Sequence, residues 1–325
     1  MDQEDRKKTK HIENFMKKWY FDTSALNHLS DAMEIEDCIA TRELILKRDK
    51  QWIISPLNLY EILNTSNERR REKLIYKLSE LLPRPGIIFD TPTRILYGSI
   101  LGYYSDTQTE FERSLRDSWF NVIAFGHTFR LDFADFKKRR DILQSMTKAM
   151  NFVFKEKTCI ASDTNNIDDA TRAILEHLKL FKPPDYVTEA GKEARFYITG
   201  ILVFAIFCFG VEPDMTFMEG YWNTQKVKSR DKYLLCLSRF EHIILNYQYK
   251  ILESPEIKLM VDFIMWEGET KGINRGTLAD ALHLVYSFHA CFIVSSDNSL
   301  IGFSKQNESL SRRFFNTKDF SFQEK

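Results

Sequence analysis

Residues 18–26 read KWYFDTSAL, and residues 290–300 read ACFIVSSDNSL. In each stretch a short apolar run, WYF or CFIV, leads into turn-forming Ser, Thr or Asn, which is typical of a buried strand. An acid, Asp22 or Asp297, stands where each run ends. Ligands of open parallel sheets bind at the carboxyl ends of the strands. The sequence therefore predicts two carboxylates at a ligand-binding edge of a parallel sheet.

Two further acids follow the same logic, and all four also have simpler interpretations. Glu61 stands in ISPLNLYEIL after a second strand-like run, and Asp280 stands in GTLADALHL. Asp22 could cap the helix that follows it, and Asp297 could form an Asx turn. Asp280 could form a capping box with Thr277, and Glu61 could be an exposed acid in a first helical turn.

Strands alternate with helices at both ends of the chain, which favours parallel βαβ units. The predicted strands are 19–22, 52–55, 87–90, 290–295 and 314–316. The predicted helices around them are about 24–47, 57–66, 68–82 and 278–289. Long amphipathic runs fill the middle, so we expect a charged arm at 1–17, an α/β core from 18–90 and 273–325, and a helical insertion at 91–272.

Composition predicts a large folded core without a global attraction for nucleic acid. The 325 residues are 43% apolar and include 26 Phe, whereas 46 basic residues balance 46 acidic ones. A phosphate backbone would have to bind a local basic patch, and the candidates are Arg69–Arg71, Lys137–Arg140 and Arg312–Arg313. Each of these patches could equally be a solvated helix face.

Cysteine spacing and hydropathy predict a cytoplasmic protein without a membrane segment. The five cysteines are far apart and form no CxxC pair, so we expect neither disulfides nor a zinc site. The first ten residues, MDQEDRKKTK, lack the apolar stretch of a secretory signal. The uncharged run at 197–211 is shorter than the about 20 residues of a spanning helix and predicts a buried helix.

The motifs around the acids resemble the PIN-domain nuclease family. The similar segments are Tyr20–Leu26, Ser55-Pro-x-x-x-x-Glu61, Asp280-Ala-x-x and Ser295-x-Asp297, which occur in the order of the family. The resemblance implies a three-layer α/β/α core with a central parallel sheet. The long stretch between Glu61 and Asp280 implies that a large, mostly helical insertion interrupts this core.

The resemblance further implies an endonuclease that depends on Mg²⁺ or Mn²⁺. Asp22, Asp280 and Asp297 would bind the metal directly or through water, and Glu61 would bind it or orient the attacking water. Ser24, Ser295 and Asn298 would hold these acids in place. Hard cations prefer such oxygen ligands. Clustered carboxylates without a cation repel one another, so four of them together favour metal binding.

RNA is the expected substrate, with DNA as the alternative, and the expected contacts are Arg69, Arg70, Arg312 and Arg313. Relatives act as toxins or defence nucleases, which implies an inhibitory protein partner or a homo-oligomer. Two other functions stay open. The fold could bind nucleic acid or protein without cutting, or Arg172-x-x-x-x-His177 could form the RNA-cleaving motif of a HEPN-like helical block.

Overall fold

The computed structural model describes residues 18–47, 51–63, 67–81, 134–159, 167–179, 183–210, 248–274 and 276–319, together with residues 65, 87–88, 92, 95, 96 and 99. These residues fall into two compact units. The described residues of 18–88 and 286–319 belong to the first unit, and those of 92–99 and 134–285 belong to the second. The first unit holds the sheet and the second is helical, so the fold is α/β, as predicted.

The first unit contains five strands and most of the shorter helices. Its strands are β1 (Lys18–Phe21), β2 (Gln51–Ile54), β3 (Ile87–Ile88), β4 (Phe292–Ser295) and β5 (Phe314–Asn316). Its helices are α1 (Thr23–Ala32), α2 (Ile35–Lys47), α3 (Pro56–Leu63), α4 (Glu68–Leu81), α11 (Asn298–Gln306) and α12 (Glu308–Ser311). Two short 3₁₀ turns, Leu284–Phe288 and Thr317–Asp319, precede β4 and follow β5.

The five strands form one sheet in the order β3-β2-β1-β4-β5, and every neighbouring pair is parallel. Along the chain, β1 to β3 extend the sheet in one direction, whereas β4 and β5 extend it in the other. The order therefore reverses between β1 and β4, where Phe21 pairs with Val294. Such a switch point opens a crevice at the carboxyl ends of its two strands. The predicted parallel sheet is confirmed.

Aromatic packing holds the central strands together. Trp19, Tyr20 and Phe21 are all buried. The Trp19 ring stacks on Phe292 of β4 with their centroids 4.5 Å apart, and it lies 5.6 Å from the ring of Phe315 in β5. Burying one such side chain is worth about 1.5–3 kcal/mol. The apolar residues that predict strands from the sequence are thus the ones that fix β1 beside β4.

Two predicted helices differ from the structure. The helix expected at 24–47 is two helices, because the backbone is in an extended conformation at Met33, between α1 and α2. Buried Lys77 donates to the carbonyls of Ser30 and Met33 at the end of α1, which satisfies acceptors that a continuous helix would use itself. The helix expected at 278–289 is α-helical only over Thr277–His283 and continues as a 3₁₀ turn.

The second unit is helical wherever the structure describes it. Its helices are α5 (Ala134–Glu156), α6 (Asp169–Leu178), α7 (Asp185–Glu189), α8 (Glu193–Gly210), α9 (Pro255–Thr270) and α10 (Thr277–His283), and residues 248–253 are also helical. The uncharged run at 197–211 lies largely in α8, and its side chains from Ile198 to Ile206 are buried. No helix in the described part of the chain is long and apolar enough to cross a membrane.

The predicted domain boundaries stay predictions. The arm at 1–17 lies outside the described residues, as does much of the predicted insertion between 100 and 133 and between 211 and 247. Residues 276–285, which the sequence groups with the α/β core, cluster with the helical unit. This grouping matters for Asp280, which lies in that segment.

Candidate active site

Asp22 lies at the switch point of the sheet, directly after β1. Its backbone N–H donates to the carbonyl of Val294 in β4 at 3.1 Å, which ties it to the neighbouring strand. The residue is only 2% exposed. Its Oδ1 accepts the N–H of Ala25 at 2.7 Å and thereby caps α1. The capping interpretation of Asp22 is confirmed, and it is compatible with a position at the sheet edge.

Two serines bind the Asp22 carboxylate, Ser24 from the first turn of α1 and Ser295 from the end of β4. The Ser24 hydroxyl donates to Oδ1 at 2.8 Å and to Oδ2 at 3.0 Å, and the Ser295 hydroxyl donates to Oδ2 at 2.5 Å. The two hydroxyl oxygens lie 3.3 Å apart. Ser24 also accepts the N–H of Ser296 at 3.0 Å. The serines selected from the sequence therefore join the ends of β1 and β4 around one carboxylate.

Asp297 belongs to the same network through its backbone. Its N–H donates to Ser295 Oγ at 3.0 Å, so one hydroxyl links the Asp22 carboxylate to the backbone of Asp297. Its Oδ1 accepts the N–H groups of Ser299 at 2.6 Å and Leu300 at 3.0 Å and caps α11. Asp297 is partly exposed, and no described residue donates to its Oδ2. That oxygen is the one on which Asp297 can bind a ligand.

Glu61 reaches the same region from the other side of β1. It is the sixth residue of α3 and partly exposed, so its interpretation as a first-turn acid is wrong. Burial, then the neighbouring Tyr286, raise the pKa of Tyr20 well above its usual value, and the charges of Asp22 and Glu61 raise it further. The charges of both acids therefore act on the Tyr20 hydroxyl.

A buried polar network links Tyr20 and the residues beside Asp22 to the start of α3, and sequence reasoning missed it. The Tyr20 hydroxyl and Ser55 Oγ are 3.0 Å apart, and Ser55 bonds to Asn58 at the start of α3. Asn58 also reaches the chain on either side of Asp22. The segment Ser55-Pro56-x-Asn58 resembles a helix start, so capping logic could have selected Asn58. No signal in the sequence marks the role of Tyr20.

Asp280 lies on α10 in the second unit, partly exposed. The capping box expected with Thr277 is absent, because Gly276 is the N-cap and Thr277 Oγ1 instead accepts the N–H of Asn274 at 3.0 Å. Asp22, Glu61 and Asp297 share the first unit. Membership of Asp280 in their site stays a prediction.

Asn298 and the four arginines predicted to contact nucleic acid differ in their surroundings. Asn298 is exposed as the first residue of α11, and no described group bonds to its side chain. Arg69 is exposed, and Arg70 pairs with Asp31 at 3.0 Å on the surface. Arg312 is exposed, whereas Arg313 donates to backbone carbonyls, those of Ser287, Ala290 and Cys291.

The position of the Arg312–Arg313 pair does not favour a role beside the acids. Both residues precede β5 and therefore lie at the amino edge of the parallel sheet, whereas Asp22 lies at the carboxyl edge. Lys318, which sequence reasoning did not select, is exposed and follows β5 at the carboxyl edge. Lys318 therefore lies at the same edge of the sheet as Asp22.

The second candidate motif, Arg172 with His177, lies on α6. The Arg172 guanidinium donates to Asp169 at 3.2 Å and to the carbonyl of Ile167 at 3.1 Å, both at the beginning of its own helix. The side chain of His177 lies outside the described part of the structure. These contacts assign Arg172 to the local structure of α6.

Within the described residues, no three His, Cys, Asp or Glu side chains form a ready-made metal cluster. The first unit instead presents carboxylates supported by hydroxyls at a sheet edge. That arrangement can orient a cation or a polar ligand through oxygen atoms. No family model, curated protein or solved structure matches the chain.

Proposed function

We propose that the protein is a metal-dependent endonuclease that hydrolyses RNA, and that its first unit is a PIN-like core. One observation carries this proposal: Asp22 and Asp297 follow adjacent parallel strands at the point where the strand order reverses. The Ser295 hydroxyl donates to the Asp22 carboxylate and accepts from the backbone N–H of Asp297. Fold class alone supports many functions, so the proposal rests on these side chains.

The connections between strands support a three-layer arrangement. Crossovers between parallel strands are right-handed in nearly all proteins. From the switch point, α1 to α4 connect strands that extend in one direction, whereas α11 and α12 connect β4 to β5 in the other. Right-handed crossovers in opposite directions cover opposite faces of the sheet. We therefore propose helices on both faces, as in a three-layer α/β/α core.

The donor set fits a hard divalent cation such as Mg²⁺ or Mn²⁺. Mg²⁺ keeps several waters and needs only one or two carboxylates from the protein. Asp297 offers its free Oδ2, and hydroxyls from α1 and β4 orient the Asp22 carboxylate. A site of this kind does not require three protein ligands in contact, so the absence of such a cluster among the described residues does not conflict with it.

The chain's own residues have distinct parts in the proposed reaction. A bound divalent cation supplies a water of lowered pKa and stabilises charge on the phosphate. Asp22 and Asp297 would hold that cation, with Asp280 as the further ligand that the motif order suggests. Ser24 and Ser295 keep the Asp22 carboxylate oriented. Glu61, which is partly exposed, would orient the attacking water or accept its proton.

A cleavage assay tests this function. The purified protein is incubated with single-stranded and structured RNA and with the matching DNA, in Mn²⁺, Mg²⁺ or EDTA. We expect internal cleavage of RNA that requires the metal, that Asp297→Asn reduces at least about 100-fold, and that exposed Asp185→Asn leaves unchanged. If wild type and Asp297→Asn are equally inert in Mn²⁺ but still bind RNA, the binding-only function is correct.

The resemblance also supports a role as a toxin or defence effector. Induced expression of the wild type should then inhibit bacterial growth, and expression of Asp22→Asn should not. If both strains grow equally at equal protein levels, the role as a toxin or defence effector is refuted, whereas the nuclease proposal is not.

A further inference from the structure

We propose that Asn58 is a positioning residue that couples the helix carrying Glu61 to the turn carrying Asp22. This inference rests on the proposed function. It identifies the residue that fixes the positions of two of the proposed acids, Asp22 and Glu61, relative to each other. The Asn58 side chain bonds to Ser55, Phe21 and Thr23 rather than to either carboxylate, so it acts through the backbone and side chains beside the acids.

One end of the Asn58 side chain brackets Asp22. Its Nδ2 donates to the carbonyl of Phe21 at 3.1 Å and to Thr23 Oγ1 at 3.2 Å, so it bonds to the residues immediately before and after Asp22. The side chain is fully buried, with an exposed fraction of 0%. Buried hydrogen bonds of this kind are costly to break, because water does not replace the lost partner. The amide therefore fixes the backbone that aims Asp22.

The other end fixes the start of α3. Oδ1 accepts the N–H of Ser55 at 2.8 Å and the Ser55 hydroxyl at 3.0 Å. Glu61 follows Asn58 by three residues on this helix, which places both on neighbouring turns of one side. A shift of the Asn58 amide would consequently shift the helix that carries Glu61. One side chain thus links the two acids that act on the Tyr20 hydroxyl.

Only an amide in this orientation satisfies all four contacts. A reversed amide would place its NH₂ against the Ser55 N–H and its oxygen against the Phe21 carbonyl. Aspartate keeps the acceptor for Ser55 but replaces the NH₂ with an oxygen that faces the Phe21 carbonyl. Asn58→Asp is therefore nearly isosteric, removes the bond to the Phe21 carbonyl in the Asp22 turn and adds a buried negative charge.

The test compares Asn58→Asp with Asn307→Asp in the full chain. Asn307 caps α12 in the same unit, where its Oδ1 accepts the N–H and the hydroxyl of Ser309 at 3.1 and 2.6 Å. Its replacement adds the same charge without breaking these bonds. We expect Asn58→Asp to reduce kcat for RNA about 10- to 100-fold with KM changed less than about threefold, whereas Asn307→Asp changes neither.

Hydrogen exchange provides a readout that does not depend on cleavage. With the link broken, the amides of residues 22–26 and of α3 should exchange at least about tenfold faster in Asn58→Asp, while those of β5 stay protected. If Asn58→Asp has the same exchange rates and kcat as the wild type while Asp22→Asn is inactive, the positioning role is overturned and the nuclease proposal stays intact. If exchange is faster in Asn58→Asp but the wild type does not cleave RNA, the coupling is supported and the nuclease proposal is refuted.

A second variant covers the case in which Asn58→Asp does not fold. Thr23→Val removes only the hydroxyl that accepts from Asn58 Nδ2 and keeps the contact to the Phe21 carbonyl. We then expect a smaller loss of kcat, about three- to tenfold, with unchanged KM and faster exchange at residues 22–26. Unchanged kcat and exchange in a folded Thr23→Val protein would overturn the positioning role.

Discussion

Replacing Asp22 with Asn separates the chemistry of the site from the stability of the fold. Asparagine keeps Oδ1, which caps α1 through the N–H of Ala25 and accepts from Ser24. Its NH₂ takes the place of Oδ2 and can donate to Ser295 Oγ. The Ser295 proton can then turn to Ser24 Oγ, 3.3 Å away. The Ala25 N–H and the hydroxyls of Ser24 and Ser295 therefore each keep a partner.

The expected change in stability follows from these bonds. Ala25, Ser24 and Ser295 donate to a carboxylate in the wild type, and each bond weakens by about 1 kcal/mol when the acceptor becomes neutral. The total loss of about 3 kcal/mol is opposed by the desolvation cost, several kcal/mol, that a buried charge no longer incurs. We expect the free energy of unfolding to change by less than about 2 kcal/mol. Asp22→Ala, which leaves the hydroxyls without this acceptor, should lower it by about 3 kcal/mol.

Urea unfolding, followed by the fluorescence of the tryptophans, measures both variants with and without Mn²⁺. The wild type should gain about 2.7 kcal/mol when Mn²⁺ is present at 100 times its Kd, and Asp22→Asn should gain almost nothing. A loss of more than about 4 kcal/mol in Asp22→Asn would show that the charge itself is structural. An equal gain from Mn²⁺ in both proteins would show that Asp22 does not bind the metal.

Three further predictions concern the neighbours of the site and its rival. Ser295→Ala should reduce cleavage about 10- to 100-fold, because Asp22 loses the 2.5 Å hydrogen bond to its Oδ2, whereas exposed Ser309→Ala should not. Equal cleavage rates in Ser295→Ala and the wild type would refute an orienting role. Tyr20→Phe should cost about 1 kcal/mol at pH 7 for the bond to Ser55. Because the pKa of folded Tyr20 is raised, its contribution to stability is complete below about pH 10 and is lost at higher pH. The free energy of unfolding of Tyr20→Phe should therefore fall less steeply from about pH 10 to 12 than that of the wild type. Parallel curves of this free energy against pH, measured by urea unfolding, would contradict this. His177→Ala should keep full activity in the cleavage assay, since the guanidinium of Arg172 bonds to Asp169 and to the Ile167 carbonyl at the start of α6. Loss of activity in His177→Ala together with an active Asp22→Asn would favour the HEPN-like function.

The parts of the fold that depend on local sequence are the parts that can be predicted. Short apolar runs bounded by turn residues identify β1, β4 and β5, and the position of an acid after such a run identifies Asp22 and Asp297. The break between α1 and α2 is not local, because it depends on Lys77 from α4 binding the carbonyls at the end of α1. A helical pattern that continues through residues 33 and 34 conceals it.

The supporting residues of the site are less visible in the sequence for the same reason. Asn58 and Arg313 act on backbone groups far away along the chain, and an isolated Asn or Arg resembles a surface residue until its partners are known. Arg313 shows the consequence, since its place in an Arg-Arg pair suggests a nucleic-acid contact and its hydrogen bonds stabilise the segment before β4. Position relative to the strand ends also separates Lys318 from the arginine pair, and only the sheet register provides it.

Locating Mn²⁺ in crystals of the protein by anomalous scattering tests the central claim most directly. The account predicts a peak at the carboxyl edge between β1 and β4, with oxygens of Asp22 and Asp297 in its coordination sphere directly or through water, at about 2–2.6 Å for direct ligands. A carboxylate of Asp280 in the same sphere would add the fourth predicted acid to the site. Saturating Mn²⁺ that leaves this edge empty, or that binds only elsewhere, would contradict the account.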